Sequence, residues 1–68
     1  MTSEELKANR TLFKLTQQEL GVLAGYDEEY ARMRIYDYES GRRKMKHSTS
    51  KALTIVFENL KSNHKETA

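Results

Sequence analysis

Residues 16–25 carry the most informative local pattern in the chain, and they read Thr16-Gln17-Gln18-Glu19-Leu20-Gly21-Val22-Leu23-Ala24-Gly25. A threonine followed three residues later by a glutamate is a capping box, in which each side chain pairs with a free backbone amide of the other residue at the start of a helix. Gly25 suits the left-handed conformation that often ends a helix, where a β-carbon costs about 1 kcal/mol or more. The pattern predicts a capped helix that ends at Gly25, with Leu20, Leu23 and Ala24 facing inward.

The residues before and after this segment predict two more helices, because apolar side chains recur there at helical intervals. Thr2 and Glu5 match a second capping box, so a first helix is predicted over about Ser3 to Lys14, with its inner face formed by Leu6 and Phe13. A third helix is predicted from about Ala31 or Arg32 to Glu39, before Gly41 provides a stop, with its inner face formed by Ile35 and Tyr38.

A fourth helix is predicted to begin in the cluster Ser48-Thr49-Ser50 and to fade by Lys61. Its inner face recurs at intervals of three and four residues and comprises Thr49, Ala52, Leu53, Val56, Phe57 and Leu60. Residues 62–68 contain no large apolar side chain. We therefore expect one helical domain over residues 1–61 and a flexible C-terminal tail over residues 62–68.

Composition limits the class of protein further. The chain has 68 residues and neither cysteine nor proline, so it forms one domain at most and offers no disulfide or thiolate metal site. No apolar run approaches the roughly 20 residues of a membrane-spanning helix, and the acidic start is unlike a signal peptide. We expect an all-α protein of the cytoplasm, with no membrane partner.

Charge is distributed unevenly along the chain. Residues 1–31 carry six acidic and three basic side chains, whereas residues 32–51 carry seven basic and two acidic ones. Such a basic segment is typical of a protein that binds a polyanion. A solvated basic face is the alternative that charge alone leaves open.

The pattern resembles the lambda-repressor-like, Cro/Xre-type helix-turn-helix family over about residues 4 to 60. The matching residues are Leu6, Arg10, Leu15, Thr16, Gln17, Gln18, Glu19, Leu20, Gly21, Ala24, Gly25, Ile35, Tyr38, Glu39, Gly41, Arg42 and Arg43. The resemblance implies an all-α, compact DNA-binding domain of four helices, alternatively five, that contains a helix-turn-helix. It also implies that the small residue at Gly21 lets the two crossed helices approach closely, and that Arg10 and Glu39 form a partly buried ion pair.

The chain differs from the usual family pattern in the length of its turn. Gly25 lies ten residues before Ile35, four more than is usual, as in a subgroup of the family with a lengthened turn. Either the second or the third helix gains a turn, or the loop bulges, and we expect the acids of the insert, residues 26–31, to point away from DNA or to cap the third helix. The chain is also too short to form the fifth helix that assists pairing of subunits in the family. A homodimer that forms only on DNA and a monomer are therefore both possible alternatives.

The resemblance places the start of the third helix in the major groove, where side chains read base edges. The candidate base contacts are Arg32, Met33, Arg34, Tyr36 and Asp37. Arg32 is the first candidate for a bidentate contact to guanine and Arg34 the second. Tyr36 is a candidate to contact a thymine methyl group or a phosphate, and Asp37 is a candidate to accept a hydrogen bond from a cytosine amino group. Packing of Met33 and Tyr36 on the insert, and pairing of Asp37 with Arg34, are the structural alternatives.

Contacts to the DNA backbone are expected from two other places. Gln17, and less specifically Gln18, match the family's phosphate contact at a helix N-terminus. The loop after Gly41 supplies Arg42, Arg43, Lys44 and Lys46, for which a solvated loop is the alternative. Neutralising about four to six phosphates predicts a log–log salt slope on the order of −4 to −5.

The sequence offers little for catalysis. His47 and His64 lie seventeen residues apart without a third metal ligand at a suitable spacing, and the three glycines form no phosphate-binding loop. We expect no enzyme, no cofactor and no small-molecule substrate. The expected function is sequence-specific regulation of transcription on operator DNA at the nucleoid, in the manner of a small prokaryotic or phage repressor. The alternative is a protein-interaction module, an antitoxin or adaptor, that uses the acidic residues 27–29 or the fourth helix.

Overall fold

The computed structural model describes residues 1–66, and the surroundings of side chains are described through residue 62. Within these residues the chain forms four helices and no strand: α1 (Ser3–Leu12), α2 (Gln17–Leu23), α3 (Glu28–Glu39) and α4 (His47–Glu66). The all-α prediction is confirmed. None of the helices in this part of the chain combines the length and the apolar character needed to span a bilayer.

Both predicted capping boxes are present. The Thr2 hydroxyl accepts a hydrogen bond from the Glu5 amide at 3.1 Å, and the Glu5 carboxylate accepts one from the Thr2 amide at 2.8 Å. Thr16 and Glu19 repeat the arrangement at 3.0 and 2.8 Å. These bonds satisfy amides that have no partner inside the helix, so α1 and α2 begin where the sequence predicts.

The first helix ends two residues earlier than predicted, at Leu12 instead of Lys14. Lys14 adopts a φ of 56°, in the left-handed region. Its amide donates to the Thr11 carbonyl at 3.0 Å, and the Leu15 amide donates to the Arg10 carbonyl at 3.1 Å. This pair of bonds is a Schellman motif, in which glycine is the usual left-handed residue. Because position 14 is a lysine and not a glycine, the sequence does not indicate that α1 ends at Leu12.

The extra residues after Gly25 lengthen the third helix. Gly25 is left-handed, with a φ of 98°, as predicted, but α3 begins at Glu28 and the predicted start at Ala31 or Arg32 is wrong. Asp27 is the N-cap residue, although its side chain makes no capping hydrogen bond. Glu28 and Glu29 are acidic and occupy the first turn, where the interaction of a negative charge with the helix dipole stabilises the helix.

The fourth helix begins at His47, close to the predicted cluster of serine and threonine, and runs past Lys61 to Glu66. The predicted end near Lys61 is therefore wrong. The rest of the predicted tail, residues 67–68, lies outside the described residues.

All four helices contribute to a single core. The fully buried large side chains are Leu6, Leu20, Ile35 and Leu53, one from each helix, and each contributes on the order of 2 kcal/mol to stability. Phe57 completes this core from α4 and stacks on Phe13, with ring centroids 5.9 Å apart and planes inclined by 16°. The core holds α3 against the other helices and leaves one side of it open to solvent.

Two side chains that the sequence places inside are exposed. Leu23 is 50% exposed, because the buried side of α2 is formed by Leu20 and Gly21, and position 23 lies on the far side from Gly21. Ala52 is exposed as well, since α4 turns Leu53 and Phe57 toward the core.

Candidate nucleic-acid interface

The solvent side of α3 brings together four of the five predicted base-contact residues. The buried residues Ala31, Ile35 and Tyr38 define the inner side of this helix. On the outer side an open hollow is lined by Arg32, Met33, Tyr36, Asp37 and Arg42, and we call it the outer hollow. It combines two guanidinium groups, one carboxylate and two apolar groups on one surface.

The outer hollow is accessible to a partner. Met33 is 50% exposed and Tyr36 is 48% exposed, although both are large and apolar in character. Arg32 and Arg42 are exposed and Asp37 is half-buried. These side chains retain enough free surface to make contacts outside the protein.

Arg34, the fifth predicted base contact, lies elsewhere. It lines a second hollow together with Gly25, Tyr26, Asp27, Tyr30, Tyr38 and Arg43, which we call the flank hollow. Positions 27, 30, 34 and 38 follow one another at intervals of three or four residues, so they share one side of the helix. Within residues 1–62 no ion pair joins Arg34 to Asp37, contrary to the structural alternative for Asp37.

The basic loop between α3 and α4 folds back onto the end of α3. Gly41 has a φ of 79° and ends the helix as predicted. The Arg43 amide then donates to the Asp37 carbonyl at 3.1 Å. This turn places Arg42 at the outer hollow and Arg43 at the flank hollow. The four predicted basic contacts of the loop are all exposed: Arg42, Arg43, Lys44 and Lys46.

A nearly buried carboxylate fixes the end of α3 against α1 and α2. Arg10 donates to the Glu39 carboxylate through Nε at 2.5 Å and through Nη2 at 3.1 Å, and donates through Nη1 to the Leu15 carbonyl at 2.9 Å. The side chains of Arg10 and Glu39 are 16% and 5% exposed. The hydrogen bonds to Glu39 raise the pKa of Arg10 against the opposing effect of burial. Arg10 and Glu39, which the family resemblance pairs, therefore form an ion pair in this fold.

The two glutamines predicted to contact phosphate are held by bonds within the protein. The Gln17 amide donates to Glu39 Oε1 at 3.2 Å, and the Gln18 amide donates to the Glu28 carbonyl at 2.9 Å. Gln17 also lines an open hollow with Tyr36, so the N-terminus of α2 lies beside the outer hollow. An amide side chain has two N–H groups and a carbonyl, so each glutamine keeps capacity for another partner.

A pair of tyrosines in the flank hollow was missed by sequence reasoning. The hydroxyl oxygens of Tyr26 and Tyr38 lie 3.3 Å apart and share a hydrogen bond. Burial and this bond raise the pKa of Tyr26, whereas the positive charge of Arg34 lowers it. The helical spacing of Tyr30, Arg34 and Tyr38 indicates that they share one side of α3 once the helix is extended to Glu28. Tyr26 precedes the helix, and the sequence gives no signal of its approach to Tyr38.

Comparison of the chain with protein-family models, with curated proteins and with solved structures finds no match. The functional assignment therefore rests on the surface described above and on the resemblance of its sequence pattern.

Proposed function

We propose that the protein is a sequence-specific transcriptional regulator of the Cro-like repressor type that binds double-stranded DNA by inserting α3 into the major groove. The observation that carries this proposal is the outer hollow, where Arg32, Met33, Tyr36 and Asp37 share one exposed side of α3. A helix with its side chains is about 10–12 Å across, and the major groove is about 12 Å wide. A helix-turn-helix formed by α2 and α3 presents this side of α3 to the bases.

The side chains of the outer hollow suit the chemistry of base edges. Arg32 offers two parallel donors to guanine O6 and N7, and Asp37 accepts from a cytosine amino group. Met33 and Tyr36 offer apolar surface to a thymine methyl group. Met33 and Tyr36, each about half exposed, distinguish this surface from a uniformly charged basic face.

Backbone contacts come from both ends of this surface. The exposed loop residues Arg42, Arg43, Lys44 and Lys46 lie at the C-terminal end of α3. Gln17 and Gln18, at the start of α2, contact a phosphate through the remaining N–H of each side-chain amide and through adjacent backbone N–H groups. These contacts orient α3 in the groove without reading the sequence.

The acidic start of α3 determines which part of the helix faces the bases. Glu29 is exposed and lies one turn before Met33, so its carboxylate is on the outer side of the helix. A carboxylate near phosphates is repelled. We therefore place the middle of α3, from Arg32 to Asp37, against the bases and its first turn outside the groove.

Exposed apolar side chains favour a second candidate, a protein-interaction module of the antitoxin or adaptor kind. They are Leu12, Val22, Leu23 and Ile55, which are 42–68% exposed. A module of this kind would contact its partner through these side chains and would not require the outer hollow. Replacing the arginines of the outer hollow separates the two functions.

Selection of binding sites from random duplex DNA with the purified protein tests the proposal. Enrichment of a palindromic sequence indicates a dimer on DNA, and enrichment of a single half-site indicates a monomer. A double variant, Arg32→Ala with Arg42→Ala, should lose the enrichment, whereas Lys61→Ala, an exposed substitution on α4, should keep it. A wild-type protein that enriches no sequence contradicts the proposal and favours the interaction module.

A further inference from the structure

We infer that Arg34 and Arg43 together hold one phosphodiester group of the DNA backbone, and that Arg34 is therefore not a base-reading residue. The inference rests on the proposed function and assigns a ligand to the flank hollow. It separates two arginines of α3 that lie only two positions apart in sequence: Arg32 reads a base and Arg34 contacts the backbone.

Helical geometry separates the two arginines. Each residue advances about 100° around an α-helix, so Arg32 and Arg34 leave the axis in directions about 160° apart. When the outer hollow faces the base edges, Arg34 therefore points away from them, on the flank of α3 that also borders Arg43. Because the groove is only about as wide as the helix, a long side chain on this flank can reach the sugar-phosphate backbone that borders the groove.

The flank hollow also gathers the groups that bind a phosphate. Arg34 comes from α3 and Arg43 from the loop after it, yet both line the same hollow. Within residues 1–62 neither guanidinium takes part in an ion pair, so both keep their donors for an external anion. A guanidinium presents parallel N–H groups that match two phosphate oxygens, and the hydroxyl of the exposed Tyr30 adds a further donor.

The flank hollow also contains one acidic residue, Asp27. Two arginines and one carboxylate leave a net charge of about one positive unit, so the hollow attracts an anion. The proposed contact of Arg43 with the DNA backbone favours a phosphodiester as this anion.

A scan with neutral methylphosphonate linkages tests the inference. The probe is the duplex selected with the wild-type protein, in which one backbone phosphate at a time is replaced. At one position the replacement should weaken wild-type binding about tenfold, the effect of losing a hydrogen bond to a charged group. At that same position it should weaken binding of Arg34→Ala or Arg43→Ala by only about threefold or less, because one of the two arginines that contact the phosphate is already absent.

Matched variants show whether the effect belongs to the flank hollow. Arg32→Ala, on the outer side of the same helix, should keep the full methylphosphonate effect at that position. Arg34→Lys should retain most of the affinity, since a lysine still supplies a positive charge to a phosphate. Melting temperatures of Arg34→Ala and of the more conservative Arg34→Gln establish that the compared variants are folded.

The possible results distinguish the inference from the function on which it rests. A larger loss for Arg34→Ala on the selected duplex than on random DNA means that Arg34 reads a base and overturns the inference. The absence of any position at which Arg34→Ala reduces the methylphosphonate effect also overturns it, while DNA binding stands. A Tyr26 ring resonance that shifts with inorganic phosphate alone, and not in Arg34→Ala, assigns the hollow to a free phosphate instead. A wild-type protein that binds no duplex contradicts the proposed function, and the inference falls with it.

Discussion

Gly21 of α2 packs directly against Ala31 of α3. A β-carbon built at position 21 would lie 2.5 Å from the Ala31 carbonyl oxygen and 2.6 Å from the Ala31 β-carbon. Both residues are buried, and the oxygen belongs to the backbone, so it cannot turn aside as a side chain could. The close approach of α2 and α3 therefore requires glycine at position 21.

Replacing Gly21 with alanine should destabilise the protein by about 2 kcal/mol or more. Overpacking typically costs 1–3 kcal/mol, here against a rigid backbone atom, and the better helix propensity of alanine offsets up to about 1 kcal/mol. Thermal unfolding should show a melting temperature lower by about 10 °C. Val22→Ala, on the exposed side of the same helix, should change the melting temperature little. An unaltered melting temperature for Gly21→Ala would contradict the packing of α2 against α3.

The Arg10–Glu39 pair should lose stability when only one partner is removed. Arg10→Met leaves the carboxylate of Glu39, 5% exposed, with Gln17 as its remaining side-chain donor. Removing one partner of a fully buried pair costs 3–5 kcal/mol, and we expect about 2–4 kcal/mol here because Arg10 retains some contact with water. Chemical denaturation measures the free energy of unfolding.

A double variant measures how much of the loss in the free energy of unfolding comes from the interaction between Arg10 and Glu39. Arg10→Met combined with Glu39→Leu removes both charges, so it should be more stable than Arg10→Met alone. If the double variant loses the sum of the two single losses, the residues do not interact as an ion pair in solution.

Local signals account for the parts of the fold that were predicted from sequence. The capping boxes at Thr2 and Thr16 and the glycine at position 25 act within one helical turn, so their residues alone specify the helix end. Asp27 and the two acids after it are also a helix-start signal. The usual turn length of the family argues against a helix that begins so soon after Gly25, so the predicted start of α3 is three or four residues too late.

Contacts between helices account for the rest. Leu23 is exposed because the buried side of α2 is set by the approach of Gly21 to Ala31, which lies on another helix. Lys14 is left-handed although it is not a glycine, and its neighbours Phe13 and Leu15 both pack against the core. The separation of Arg32 from Arg34 could have been predicted, since both lie within the predicted third helix and two residues of an α-helix differ by about 200° around its axis.

Glu5→Gln should reduce the sensitivity of the protein to acid. The pKa of Glu5 is lowered because its carboxylate accepts a hydrogen bond from the Thr2 backbone, with a second contribution from the Thr2 side chain. A carboxyl whose pKa is lower in the folded state stabilises the protein above its unfolded pKa, about 4.3. That contribution is lost as the pH falls through the lower, folded pKa. Melting temperatures at neutral and acid pH should therefore differ less in Glu5→Gln than in the wild type, and equal differences would show that the Thr2–Glu5 box does not form.

Glu29→Gln should strengthen DNA binding. Glu29 is exposed on the outer side of α3, one turn before Met33, so in the proposed complex its carboxylate lies near the phosphates that flank the groove. Removing this repulsion should raise affinity for selected and random duplexes by a similar factor, and the gain should shrink as salt screens the charges. Glu28→Gln, about 100° away around the helix, is the matched control. A loss of affinity on the selected duplex alone would mean instead that Glu29 accepts a hydrogen bond from a cytosine.

Arg32→Ala should weaken binding to the selected duplex far more than binding to random DNA. A bidentate contact to guanine discriminates by about 1–3 kcal/mol, which corresponds to a loss of about fivefold to more than a hundredfold on the selected sequence. On random DNA the variant loses only the attraction of one positive charge. Arg42→Ala is the matched control, because Arg42 lines the same outer hollow from the loop and should weaken both duplexes equally. Equal losses for Arg32→Ala on both duplexes would remove Arg32 from the base-reading surface, and the reading of sequence would then fall to Met33, Tyr36 and Asp37.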